Sequence, residues 1–197
     1  MNDLIFEEEI PYSQAKEFVE IWHYSGCFPK GSHITFGWSF FDSGYLYAIA
    51  DFGNGVNPYQ STFLSRVTGK EVTNKNMVEL KRLARVEPKC CNAPLSKFLS
   101  LCGKALKRRG IRFIVSFSDP AHGHSGGIYR ASGFSHIGQT LNAERHDVTE
   151  DGVVVHRRRA YRHAKANGIS LSQARDVLGV RPVETPKKDR WFRDLGE

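Results

Sequence analysis

At 197 residues the chain has the length for one domain with a sizeable core and room for a basic extension, but not for two full domains. Lys plus Arg number 28 against 21 Asp plus Glu, a formal net charge of +7 that favours an anionic partner. No stretch approaches the ~20 apolar residues of a membrane span, and the opening MNDLIFEEEI is acidic where a secretory signal would be basic, so a cytoplasmic protein with no membrane partner is expected.

In chain order, a short strand-like start leads to a helix from about Gln14 to Trp22, capped by Ser13, with Ala15, Phe18, Val19 and Trp22 as its apolar face. The Gly/Pro loop HYSGCFPKGSH follows, then a hairpin of strands at about Ile34–Phe41 and Tyr45–Phe52. Residues Gly53 to Asn76 read as polar and irregular. Met77 to Val86 alternates as a central strand. After EPKCCNAP comes a helix that Asn92 can cap and Pro94 can open, with Leu95, Phe98, Leu99, Leu101, Cys102, Ala105 and Leu106 on one face and KRRG at its close. Ile111 to Phe117 is a buried parallel-type strand, and Phe134 to Gln139 a further one. Beyond residue 140 VVVH predicts a strand and AYRHAKANGISLSQARDVLGV two short helices broken at NGIS, read as a helical insertion rather than a helix-turn-helix. The expected architecture is α/β: a catalytic domain over 1–140 with a central mixed sheet flanked by helices, and a basic C-terminal extension over 141–197.

Three clusters hold most of the basic residues: KALKRRGIR, HRRRAYRHAK and RPVETPKKDRWFR. Each alone reads as a solvated face. Together, and interleaved with Tyr161, Trp191 and Phe192, they point to nucleic acid. Arg157, Arg158, Arg159, Arg162, Lys188 and Arg190 are the residues expected to contact phosphates rather than base edges.

The densest chemistry lies in SDPAHGHSGGIYRASGFSHIG, Ser118 to Gly138. A strand, a polar loop, a short helix stopped by Gly133 and a strand would bring Asp119 and Tyr129 to the C-terminal edge of the sheet, where open α/β sheets bind ligands. The plain alternatives are a turn residue before Pro120 for Asp119 and a core tyrosine for Tyr129. His124 is a candidate for polarising a carbonyl or holding a metal such as iron. It forms only an HxH with His122, and no acidic ligand stands at a telling spacing. The four cysteines, Cys27, Cys90, Cys91 and Cys102, show no CxxC pair and read as reduced thiols.

Hairpin, central strand, capped helix, strand, helix and strand in that order resemble the GNAT-type N-acyltransferase fold, although EPKCCNAPLS lacks the Gly-rich loop usual there. The finer resemblance, over roughly Trp22 to Arg159, is to the Mom family of phage DNA-modification proteins. It rests on WHYSG, ELKRLARV, NAPLS, SDPAHGHSGGIYRASGF, HRRR and the late KKDRWF. The resemblance implies addition of a carbamoylmethyl group to N6 of adenine in double-stranded DNA, protecting phage DNA from host restriction. It implies acetyl-CoA or another acyl donor, held by Arg82, Asn92 and Ser96 at a helix N-terminus. It also brings His23 and Tyr24 into the active site beside Asp119, Tyr129 and His124.

Adenine's exocyclic amine is a poor nucleophile because its lone pair is delocalised into the ring, so a base must take its proton as the new bond forms. Asp119 is the first candidate, with Tyr129 as relay or orienting hydroxyl. Simple acetyl transfer joins nitrogen to a carbonyl carbon, whereas the implied product joins it to a methylene; a different donor or a second step is required. The target base must be flipped from the duplex, with Tyr24, Phe52 and Tyr59 as candidate stacking partners. Two other classes stay open: an acyl-CoA-dependent transferase acting on a protein or small amine, and a non-enzymatic nucleic-acid-binding protein.

Overall fold

A computed structural model describes residues 4–31, 34–55, 57–87, 93–140 and 144–196. Its elements are β1 (Leu4–Glu7), α1 (Tyr12–Trp22), β2 (Ile34–Phe40), β3 (Leu46–Gly53), α2 (Gln60–Thr68), β4 (Met77–Arg85), α3 (Leu95–Arg108), β5 (Phe113–Ser118), a 3₁₀ turn (Pro120–His122), α4 (Gly127–Ala131), β6 (Ser135–Gln139), β7 (Glu144–Thr149), β8 (Val154–His156), α5 (Arg158–Asn167), α6 (Leu171–Val177), β9 (Val180–Thr185) and β10 (Asp189–Asp194). Among the described residues no helix is long and apolar enough to cross a membrane.

Two compact units emerge, and a single cut near residue 140 does not separate them. One comprises 1–117, 126–137 and 191–197, the other 118–125 and 138–190. The chain's last strand thus returns to the first unit.

The larger sheet has seven strands in the order β1-β2-β3-β4-β5-β10-β6. β1 to β4 are antiparallel neighbours, and β4 pairs with β5 in parallel. β3 is buried along its whole length, which is why it reads as a near-continuous apolar run. Its one acid, Asp51, is fully buried and accepts a 2.9 Å hydrogen bond from Thr35. On one side of the sheet Phe98, Leu99, Cys102, Ala105 and Leu106 of α3 pack with Phe36, Trp38, Phe52, Ile114 and Trp191. Elsewhere Ala15, Phe18 and Val19 of α1 pack with Ile49 and Ala84, and Leu64 of α2 packs with Met77, Phe113, Val115 and Phe192.

Several local expectations are corrected. Ser13 lies inside α1, which Pro11 caps without a side-chain bond, and Trp22 is exposed. α2 occupies a segment read as irregular. α3 starts at Leu95 behind Pro94; Asn92, with Cys90 and Cys91, lies outside the described residues. Phe52 is fully buried and cannot stack on a base. The tail aromatics are core: Trp191 is 2% and Phe192 6% exposed, because β10 is an interior strand of the sheet.

The second unit holds a three-stranded sheet, β8-β7-β9, in which β7 pairs antiparallel with both neighbours. Helices α5 and α6, joined through Gly168 in the left-handed conformation, pack through Ala160, Ala164 and Ala174. Buried Asp147 accepts a 2.9 Å bond from Arg175 Nε and ties α6 to β7.

Candidate functional site

In the first unit the ladder between β4 and β5 covers only Met77–Glu79 against Phe113–Val115. Past that point the strands have no paired register, and β4 carries an irregularity between Leu80 and Arg82, opposite Asp51 and Phe52. Bulges of this kind turn side chains toward active sites. At the fork the Ser116 hydroxyl donates to the Leu80 carbonyl at 3.1 Å and shares a 2.9 Å hydrogen bond with the Tyr129 hydroxyl. The Tyr129 hydroxyl also donates to the Phe117 carbonyl at 3.4 Å. Its ring stacks on Trp191 at 5.7 Å and meets Phe134 edge-on at 5.4 Å.

α4 can deliver Tyr129 because Gly126 precedes it at φ +74°, and Trp191 lies where a Cβ on Gly126 would be. Burial pushes the Tyr129 hydroxyl up to about 12, against the lowering effect of Ser116; the charges of Tyr24 and Glu79 add to the rise. The phenol is therefore neutral near pH 7 and can orient or relay a proton but not act as a tyrosinate. The same interactions place Tyr24 and Glu79 within electrostatic range of it. Glu79 was not singled out from sequence, although an acid within the apolar alternation of β4 was the available signal. Ser116, a hydroxyl inside the apolar run of β5, was another.

His23 ends α1, where its N–H donates to the Val19 carbonyl. Its Nδ1 lies 2.8 Å from Ser25 Oγ and accepts from the Ser25 N–H at 3.1 Å, and its ring lies 4.3 Å from that of the exposed Tyr24. Arg82, expected at the donor, instead gives its Nε to the Cys27 carbonyl at 3.0 Å and its Nη1 to the Lys81 carbonyl at 2.7 Å. It tethers the loop carrying His23 and Tyr24 to β4. Ser96 sits half-buried in the first turn of α3. Cys102 is fully buried, and burial raises its thiol well above the usual range, so it is inert packing.

In the second unit Asp119 is 4% exposed and fully engaged. One carboxylate oxygen accepts from the Ala121 N–H at 3.1 Å, capping the 3₁₀ turn, and the other lies 3.3 Å from Lys188 Nζ. Lys188, expected on phosphate, serves this ion pair. Asp119, His122 and His146 bring one potential ligand atom each to within 4.8 Å of one another. His146 is 3% exposed, with Nδ1 2.9 Å from Thr185 Oγ1. Burial lowers the His122 pKa, partly offset by Asp119, which favours the neutral imidazole that metals require. His124 is exposed, and its N–H donates to the Asp119 carbonyl at 3.2 Å. His124, the candidate the sequence offered, is not one of the three; His146 comes from β7.

Of the basic residues, Arg158, Arg159 and Arg162 are exposed on α5. Arg157 stacks on Tyr161 at 4.9 Å and donates to its hydroxyl at 2.8 Å. Arg190 is half-buried, and burial lowers its pKa.

Several solved structures share this fold. The ribosomal-protein-S18-alanine N-acetyltransferase from Escherichia coli aligns over 99% of this chain and 96% of its own, with TM-score 0.56 and 11% identity. The spermidine N-acetyltransferase from Vibrio cholerae in complex with CoA and spermine aligns over 98% and 95%, with TM-score 0.51 and 7% identity. The AHL synthase LasI aligns over 100% and 92%, with TM-score 0.52 and 10% identity. At such identities the likeness establishes the acetyltransferase fold alone. No curated protein matches the sequence. The profile of the Mom protein family matches residues 4–193, nearly the whole length, and the chain belongs to that family.

Proposed function

We propose that the protein is a transferase that adds a carbamoylmethyl group to N6 of adenine in double-stranded DNA and so shields phage DNA from restriction. Membership of the Mom family over residues 4–193 carries the reading. The acetyltransferase fold supports group transfer to an amine, and the net charge of +7 with an exposed arginine face on α5 supports a polyanionic substrate.

The donor, acetyl-CoA or another acyl donor, would take the start of α3, where Ser96 and the N–H groups of the first helical turn face its anionic part. Tyr24 and Tyr59, 54% and 76% exposed, can stack on a displaced base. Tyr129, neutral and fixed by Ser116, can orient or relay a proton. Asp119 is the residue that the family resemblance assigns to accept the proton that leaves N6. His23, half-buried with Nδ1 held by Ser25, is placed by the family resemblance in the active site. Because the product joins N6 to a methylene carbon, acetyl transfer alone does not complete it.

The test is mass spectrometry of nucleosides from DNA of cells expressing the soluble protein. A carbamoylmethyl adduct on deoxyadenosine supports the reading, and only unmodified deoxyadenosine sinks it. Asp119→Asn should abolish the adduct while folding and DNA affinity persist. CoA binding without salt-dependent DNA affinity would favour an acyltransferase acting on a protein or small amine instead.

A further inference from the structure

Gln60 opens α2 and is 4% exposed, yet its amide Nε2 is buried with no hydrogen-bond partner among the described residues. An unmade buried donor is costly, and a ligand that completes the bond accounts for its retention. The carboxamide lies against Gly55: a Cβ there would stand 2.5 Å from Gln60 Oε1 and 3.2 Å from Glu79 Oε2. Glycine leaves the room that these two polar groups share. We propose that Gln60 and Glu79 form the subsite that recognises the displaced adenine, an inference that rests on the DNA-modification reading and names its specificity-determining residues.

Both residues are fixed by their elements. The Gln60 N–H donates to the Asn57 carbonyl at 3.1 Å and the Tyr59 N–H to Asn57 Oδ1 at 3.0 Å, so one turn presents an exposed ring next to the buried amide. Glu79 is the residue of β4 that pairs on both sides, with Gly53 of β3 and Val115 of β5, and it stands where the fork begins. Its charge acts on the Tyr129 hydroxyl, which puts it at the candidate active site within the first unit.

The chemistry of the pair selects a purine edge. Adenine offers an amino group with two donors beside a ring nitrogen that accepts. A glutamine amide is complementary to that edge: Oε1 accepts from N6–H and Nε2 donates to the ring nitrogen. Gln60 Oε1 and Glu79 Oε2 lie so near one point that a single amino group can bond both at about 2.9 Å. Glu79 then accepts the second N6–H, and its charge repels a base with a carbonyl at that position, as in guanine and hypoxanthine. The subsite decides which base is held, not which group takes its proton, and so stands apart from the role given to Asp119.

The experiment is fluorescence anisotropy of the purified full chain with labelled homopolymeric single strands of dA, dI, 7-deaza-dA and 1-deaza-dA at one fixed salt concentration. Neither base flipping nor sequence context then intervenes. The parent should prefer dA to dI by at least about fivefold, the lower end of what one bidentate base contact contributes. It should also lose affinity for one deaza strand, the one lacking the ring nitrogen that faces Nε2. Glu79→Gln should erase the preference for dA over dI, and Gln60→Met should bind that deaza strand as well as it binds dA. Tyr59→Leu should weaken all strands alike, because every base has a face to stack on. Circular dichroism checks that each variant folds; if Gln60→Met does not, Glu79→Gln and the parent's response to the deaza strands carry the result. A parent that binds neither strand, or dA and dI equally, overturns the inference. So does a dA preference that survives Glu79→Gln, or equal binding of dA and both deaza strands. An adduct on deoxyadenosine without any dA preference would sink this subsite and leave the modification reading standing, whereas a dA preference without an adduct would do the reverse.

Discussion

The hydroxyls of Ser116 and Tyr129 lie 2.9 Å apart at the fork where β4 and β5 cease to pair. Tyr129→Phe removes that bond but leaves Ser116 its Leu80 carbonyl, so the cost near neutral pH should be about 1 kcal/mol in urea unfolding. The folded hydroxyl is raised from 10.0 to about 12. A group raised on folding stabilises fully below its unfolded pKa, and its contribution is lost as pH climbs through the folded value. The parent should therefore lose stability between pH 10 and 12 more steeply than Tyr129→Phe. Equal slopes in the two chains would contradict the assignment.

Gly126 and Trp191 are packed so closely that a Cβ on Gly126 would sit 2.0 Å from Trp191 Cζ2, and Gly126 holds φ +74° besides. Gly126→Ala should destabilise by roughly 2–4 kcal/mol through steric overlap and backbone strain together. Gly123→Ala, at φ +73° with nothing within 4 Å of its would-be Cβ, should cost only about 1–2 kcal/mol. Chemical denaturation of the pair separates the two causes.

Asp194 ties the end of β10 to α2's neighbourhood. Burial alone would raise its carboxyl, but bonds from Lys70, the Gly196 N–H at 2.9 Å and Arg112 Nε at 3.2 Å prevail and hold it at about 2. A depressed carboxylate stabilises above its unfolded pKa of 3.8 and loses that contribution as pH falls toward 2. Asp194→Asn should remove on the order of 2 kcal/mol at neutral pH and flatten the acid limb of stability between about pH 4 and 2. Thermal unfolding across that range reads both effects.

Arg158 and Arg162 are exposed on α5. Replacing both by Gln should weaken DNA binding about equally on all sequences and lower the slope of log affinity against log salt by roughly 0.9 for each phosphate left unneutralised. Fluorescence anisotropy across a salt series measures it. An unchanged slope with altered choice of adenine would make these arginines base readers and α5–α6 a recognition pair.

Where structure follows from local pattern, the sequence alone was enough. Phe98, Leu99, Cys102, Ala105 and Leu106 recur at helical spacing and form the buried face of α3. The alternation over Met77–Arg85 is β4, and Gly168 breaks α5 from α6 because only glycine adopts φ +63° there at no cost. The Asp119–Pro120 turn and Tyr129 on a short helix were legible from residue chemistry in the same way.

What needed tertiary structure depends on partners distant in the chain. α2 buries few side chains, chiefly Gln60 and Leu64, too few to show a period, so its helix is set by packing against β4 and β5. DRWFRD reads as a basic aromatic tail until it enters the sheet next to β5; a strand placed there buries Trp191 and Phe192 on opposite faces. Arg82 looked like a donor ligand, but the Cys27 carbonyl, 55 residues away, takes its Nε. The pairing of Asp119 with Lys188 and the meeting of His122 with His146 join the turn after β5 to residues far along the chain. Local preferences shape elements, but only long-range pairing, which leaves no periodic mark in sequence, decides which side chains converge.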